Sequence, residues 1–324
     1  MSNSSDVSLG ALRLQARFRS DMQNNFAVSD AEFNSYISNS RKELFDLLVG
    51  AYGNNYYWAT FYQFQTTNDQ YYPFPDGTSN YQNANGSTAE KYYKMLGLDL
   101  QYSGSPSGWI SIQRIELIER NKYAYPNTAT SFLGYTNLKY TPIKDGIWIT
   151  PLPTTGQVMR LWYIPTPPAL QFILNSGLTL ESNIVQLTDV TGLAVGMNVY
   201  GTGVTNGTTI LSIDSNTNQL TISSTALGTY PTATLSYWSD ATTVDGIAGW
   251  EEFIIIDAAI KSKIKQEEDF SGLYQQKMDM KARIESMAEG RDIGQAMHVS
   301  DALGINAYGA NGFGGGGFDG LGGW

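Results

Sequence analysis

Cysteine is absent from this 324-residue chain. That absence removes disulfide staples, thiolate nucleophiles and cysteine-held metals from consideration. Histidine is reduced to one residue, His298. It falls outside every predicted element, whereas a Ser/His/Asp relay needs a base held rigidly within hydrogen-bond reach. No run reaches the roughly 18–20 apolar residues of a membrane span. The opening "MSNSSDVSLG" lacks the basic and apolar regions of a signal peptide, which predicts synthesis in a cytoplasm and no membrane partner.

Basic charge is also scarce. The chain has 20 Lys and Arg against 30 Asp and Glu, a formal net charge of −10. Residues 170–243 contain no Lys or Arg, only Glu181, Asp189, Asp214 and Asp240. A protein that reads nucleic-acid sequence needs a basic face to neutralise phosphates, and none is visible. An acidic wall repels DNA, so passage of a duplex past the protein stays compatible with this charge.

Chemistry-bearing constellations are equally sparse. No EF-hand spacing of Asp residues occurs; "DFSGL" reads as a helix interruption and "DSNTNQ" as a turn. A paired-carboxylate glycosidase stays formally open, since acids from distant segments can meet, and Glu116 and Glu119 in "IELIER" lie one turn apart if helical. Their plain reading is a solvated face flanked by Ile115 and Ile118, with Arg114, Arg120 and Lys122 as surface ion-pair partners. The sequence therefore predicts no catalytic residue, no metal site, no cofactor and no enzyme.

What the chain does contain is organised in blocks. "VSDAEF" supplies Ser29 as a helix N-cap and Glu32 three residues on, a capping box. Val28 and Phe33 occupy the hydrophobic-staple positions around the same cap. Phe33, Tyr36, Ile37, Leu44, Leu47 and Leu48 then recur at helical spacing. Upstream, Leu9, Leu12 and Ala16 form a stripe beside Arg13 and Arg17, which predicts an antiparallel helix pair.

Aromatic and β-branched runs follow at residues 56–65, 109–117, 146–153 and 158–168, and these are strand signals. Such aromatics can form a sugar-binding face, although strand aromatics more often pack cores or interfaces. "PTPPALQF" marks a boundary, after which residues 170–243 alternate short Val/Ile/Thr/Leu runs with Gly, Asn and Asp turns. This is the pattern of a small all-β module. "GTGVTNGTT" lacks the GK[ST] element of a phosphate loop and reads as a turn.

Near residue 250 helical spacing returns. Phe253, Ile256, Ile260 and Ile264 are followed, after an interruption expected around Gly272, by Leu273, Met280, Ile284 and Met287. The fold class expected is α+β: a helical bundle from N- and C-terminal helices, a central β region, an inserted small all-β domain and a flexible Gly-rich tail. The corresponding domains are a discontinuous core of residues 1–169 and 244–292, the module 170–243, and the tail 293–324.

The blocks "LGALRLQARFRSDMQNNFAVSDAEFNSYISNSRKELFDLLVGAYGNNYY", "YKMLGLDL", "ISIQRIELIERNKY" and "VMRLWYIPTPP" resemble head–tail adaptor proteins of short-tailed bacteriophages. "GWEEFIIIDAAIKSKIKQEED" and "KARIESMAEGRD" continue the resemblance, which covers most of residues 8–168 and 245–292. It implies a structural protein of the virion head–tail junction, made in the bacterial host cytoplasm. About twelve copies would form a ring under the portal protein, above a tail or nozzle protein, with DNA passing through the centre. The module at 170–243 goes beyond a minimal adaptor, so the resemblance leaves its placement open.

The C-terminal residues meet the resemblance at "GANGFGGGGFDGLGGW". Ten glycines in residues 304–324 cost roughly 1–2 kcal/mol of backbone entropy per ordered residue. Burying Phe313, Phe318, Leu321 and Trp324 returns roughly 1.5–3 kcal/mol each. One such tail binds weakly alone, and a ring of them gains by effective concentration. These four residues are the expected portal-docking contacts. The alternative from another class is a glycan- or receptor-binding virion protein that uses the β module.

Overall fold

A computed structural model describes residues 7–23, 27–51, 59–83, 86–102, 108–123, 138–244 and 249–292. The fold is mixed α and β, of the α+β class. Two helices open the described chain, α1 (Leu9–Arg19) and α2 (Asp30–Ala51). Ser8 caps α1 by accepting from the Ala11 amide, and Ser29 accepts from the Glu32 amide at the head of α2. Only half of the expected capping box forms, because the Glu32 carboxylate turns outward to Lys265 and the Tyr36 hydroxyl. Leu9, Leu12, Ala16, Val28 and Phe33 are all fully buried in one core. Arg13 meets Asn34 while Arg17 meets Asp30, so the two helices run antiparallel.

The returning helices are α3 (Glu251–Lys265) and α4 (Ser271–Asp292). The break between them lies at residues 266–270, upstream of Gly272, which sits inside the first turn of α4. Glu267 turns the chain in a left-handed conformation, φ 59°, and Asp269 then accepts from the Ser271 amide to start the next helix. Ile264 and Met287 were expected on the buried stripe but are half exposed; Ile284 carries the α4 contact, assisted by Met280. α3 contributes Phe253, Ile254, Ile255 and Ala258 to the core it shares with α1 and α2.

A buried ionic node joins three of these helices. Asp257, 3% exposed, is held by Lys261 on its own helix and by Lys277 of α4 at 2.8 Å. Lys261 also donates to Ser40, and Lys277 to Glu43 at 2.6 Å, both on α2. Burial pushes the Asp257 carboxyl up, but its bonds to Lys261, Lys277 and Ser40 outweigh this and hold it below the ordinary range. Burial pushes Lys277 down, and its bonds to Asp257 and Glu43 raise it overall.

Two four-stranded sheets occupy the centre of the chain. The first has the order β2 (Thr60–Gln65), β9 (Val158–Pro165), β4 (Tyr92–Gln101), β5 (Trp109–Ser111). The second has the order β3 (Tyr71–Pro73), β8 (Gly146–Thr150), β7 (Lys139–Ile143), β6 (Gln113–Arg114). "WISIQRIEL" is thus split between two sheets, with Ile112 buried at the crossing. Leu98, Leu100, Tyr140, Ile147, Met159 and Leu161 fill the core between the sheets.

Six strands close into a barrel, in the order β10 (Gln171–Leu178), β11 (Ile184–Gln186), β14 (Gln219–Ile222), β13 (Thr208–Asp214), β12 (Asn198–Gly201), β15 (Tyr230–Trp238). Closure removes exposed strand edges. Val185, Leu220, Ile222, Leu235 and Tyr237 form its separate core, where the Tyr237 hydroxyl pairs with Ser176 at 2.9 Å. Burial, only partly offset by that bond, pushes the Tyr237 phenol up to about 12. The "GTGVTNGTT" stretch makes the β12–β13 turn. Strands β1 (Val7–Ser8) and β16 (Thr243–Val244) pair antiparallel and tie the start of α1 to the chain leaving the barrel.

Candidate interface on the first sheet

The outer face of the first sheet is covered along only part of its length. Strand β9 alternates: Met159, Leu161 and Tyr163 point into the core between the sheets, so Arg160, Trp162 and Ile164 point outward. Ile164 is sealed by Phe45 and Val49 from the C-terminal part of α2, with Leu96 beside them. Tyr93 extends the seal: its ring meets Phe45 edge-on at 4.8 Å and its hydroxyl donates to Asp46 at 2.5 Å. Burial, then that bond, pushes the Tyr93 phenol up to about 12.

Beyond this seal Phe61 is 36% exposed, and Trp109, Arg160 and Trp162 are half-buried. Register places Phe61 opposite Trp162, and Arg160 between Gln63 and Asp99. The Arg160 guanidinium lies 3.8 Å from the centre of the Trp109 ring and 4.4 Å from that of Phe61. Trp162 lies 5.2 Å from Phe61, in a tilted arrangement. The guanidinium is therefore sandwiched between aromatic faces, a favourable cation–π arrangement.

Asp99 lies directly across from Arg160 and does not form an ion pair with it. Its two oxygens accept from the Trp162 indole at 2.7 Å and the Ser111 hydroxyl at 2.8 Å. The buried Arg160 Nε has no hydrogen-bond partner. Aromatic anchors beside a fixed arginine are the composition of an interface hot spot. The sequence pattern predicts the strands, but the sandwich depends on β9 pairing between β2 and β4, a non-local fact. The available signal was Arg160 itself, a lone charge within "VMRLWYIP".

The sequence-predicted docking residues Phe313, Phe318, Leu321 and Trp324 lie outside the described residues, as does His298. Glu116 is exposed, while Glu119, in a 3-10 helix over Leu117–Tyr123, pairs with Lys122 at 2.9 Å. That bond holds its carboxyl below the ordinary value. Ile115 is buried and Ile118 is 86% exposed, so only one of the two flanking isoleucines anchors the segment.

Among the described residues, no group of three or more His, Asp or Glu is placed to hold a metal ion, and no helix is long and apolar enough to cross a membrane. A cavity of about 350 Å³ lies between α1, the head of α2 and the barrel, lined by Arg13, Asp30, Tyr200, Trp238 and Asp240. Its charged groups are already engaged: Arg13 pairs with Asp30 and Asp240, and Trp238 donates to Asp240. No protein-family model matches the chain, and no curated protein matches it.

Proposed function

We propose that this protein is a structural component of a short-tailed bacteriophage virion, a head–tail adaptor that joins the portal to the tail and lets DNA through. The observation that carries this reading is the meeting of two sequence-distant blocks. The segments resembling adaptors, at 8–168 and 245–292, pack into one helical body through the α1, α2, α3 and α4 core and the Asp257 node. The barrel of β10–β15 has a core of its own, and Trp238 at the end of β15 joins it to the core of the helices.

In this reading about twelve copies form a closed ring. The residues 293–324 act as a docking strap for the portal through Phe313, Phe318, Leu321 and Trp324. The chain performs no catalysis and binds no cofactor. Its −10 charge lets DNA pass without being held. A channel lined mainly by basic residues would contradict this part of the reading.

Co-sedimentation with the cognate portal ring tests it, comparing the full chain with a truncation after residue 303. Binding by the full chain alone supports the strap. Binding by both forms places the contact on the helical body. Binding by neither removes the adaptor reading, and binding of the full protein to glycans would then favour the receptor-binding alternative.

A further inference from the structure

The part of the first sheet beyond the α2 seal presents the half-buried Arg160, Trp109 and Trp162 and the exposed Phe61, a chemistry suited to one carboxylate carried on an apolar segment. Arg160 is positioned by Trp109 and Phe61, so little side-chain entropy remains to be lost when its N–H groups are engaged. The carboxylate directly across from it in register, Asp99, is already committed to Trp162 and Ser111. Its charge nevertheless keeps the patch near neutrality, which disfavours a polyanion such as nucleic acid. The guanidinium covers the Trp109 and Phe61 faces on which a sugar ring would stack, which disfavours a glycan.

A segment of this chain has the required chemistry. "GFDGLGGW" carries a single side-chain carboxylate, Asp319, between Phe318 and Leu321, and no basic side chain. The position of α4 brings this segment within reach. Lys265 of α3 bonds Glu32 near the start of α2, while Asp257, earlier in α3, lies against Lys261 and Ser40 further along α2; α3 therefore runs antiparallel to α2. α4 returns antiparallel to α3, with Lys277 against Asp257 and Arg283 over Trp250. It thus runs toward the end of α2 that seals the sheet. The sequence between Asp292 and Asp319 is long enough to reach roughly 25–30 Å even at the mean end-to-end distance of a Gly-rich chain, and further if extended.

We infer that, before assembly, the segment Phe318–Trp324 of the same chain parks on the sheet face, with the Asp319 carboxylate on the Arg160 guanidinium and the apolar side chains beside Phe61 and Trp162. Parking covers the apolar groups until a higher-affinity surface competes for them. The inference takes its segment from the adaptor reading but does not depend on a portal.

The absence of cysteine makes a clean test available in the full chain. A nitroxide is attached at Gly316→Cys, and the indole N–H signals of 15N-tryptophan-labelled protein are recorded. The expected result is selective broadening of Trp109 and Trp162 relative to Trp238, which lies at the barrel–helix junction. R160Q lowers the docked-to-free ratio about tenfold, as loss of a charge-assisted contact does. D319N does the same without touching the folded body, so the test survives if R160Q fails to fold.

Unchanged Trp109 and Trp162 signals, or equal broadening in D319N, overturn the inference. Broadening that disappears on dilution overturns it too, because another copy then supplies the segment. Selective broadening in a protein that fails to sediment with the portal leaves this inference standing and removes the adaptor reading.

Discussion

Replacing Asp257 with Asn should release α4. The carboxylate is 3% exposed and neutralises two ammonium groups, Lys261 and Lys277, whose side chains are 28% and 16% exposed. Removing one member of a fully buried pair costs about 3–5 kcal/mol. Partial access to water and the remaining Lys277–Glu43 bond place this case at the low end, about 3 kcal/mol. Ile284 is the one fully buried apolar side chain on the described face of α4, with Met280 partly buried. Their burial supplies roughly 3–5 kcal/mol, so the node is a large share of what docks the helix.

The consequence is local opening before global unfolding. Hydrogen exchange read on peptides covering 271–287 should show about a hundredfold loss of protection, since 1.36 kcal/mol corresponds to a factor of ten. Peptides from β11, β13 and β14 should not change, because their buried Val185, Ile210, Leu220 and Ile222 belong to the barrel's own core. Protection of α4 within threefold of the parent protein would refute the reasoning. So would an equal loss in the barrel, which would mean that the two bodies open together.

The same node sets a pH window. Asp257 is held below its ordinary value of 3.8, so its contribution is present above that pH and is lost as pH falls through the folded value. Lys277 is held above 10.5, so its contribution is present below that pH and disappears as pH rises through the folded value. Protection of α4 should therefore be flat in between and fall at both extremes; a rise on acidification below pH 4 contradicts the assignment. At Gly203, φ is 86° and an added Cβ would lie 2.5 Å from the Tyr230 ring. Gly203→Ala should cost about 2 kcal/mol or more, read as a lower barrel melting temperature, and a neutral outcome would refute the crowding. Tyr237→Phe leaves the Ser176 hydroxyl without its buried partner and should cost about 1 kcal/mol in the same melt; no change would show that the bond contributes nothing.

How much of this was legible in the sequence depended on range. The start of α2 was readable because an N-cap and a staple act within six residues, and Ser29, Val28 and Phe33 occupy those roles. Even there the reciprocal half of the box was lost, because Glu32 gains more from Lys265, a partner over two hundred residues away. The helix break overlaps the expected "DFSGL" interruption at Asp269 and Phe270 but begins earlier, at residue 266. Gly272 looks like the breaker, yet Glu267 adopts the left-handed turn, a conformation that composition does not announce.

In the central region β2, β5, β8 and β9 were visible from Val, Ile, Trp and Tyr content, whereas β3, β4 and β7 were not anticipated. Pairing was not visible, so nothing in "WISIQRIEL" signals that Trp109 and Gln113 belong to different sheets. The Arg160 sandwich was invisible for the same reason, since Trp109, Arg160 and Phe61 come from three strands brought together only by register. The residues expected to dock the portal sit outside the described part of the chain, so their role rests on composition and resemblance.

The most direct test of the adaptor account is native mass spectrometry of the cognate portal ring mixed with excess of this protein. The account predicts a discrete added mass of about twelve times the 35.7 kDa of one chain, matching a closed ring on a preformed template. A portal ring that gains no mass, or a ladder of unrelated stoichiometries, would contradict it.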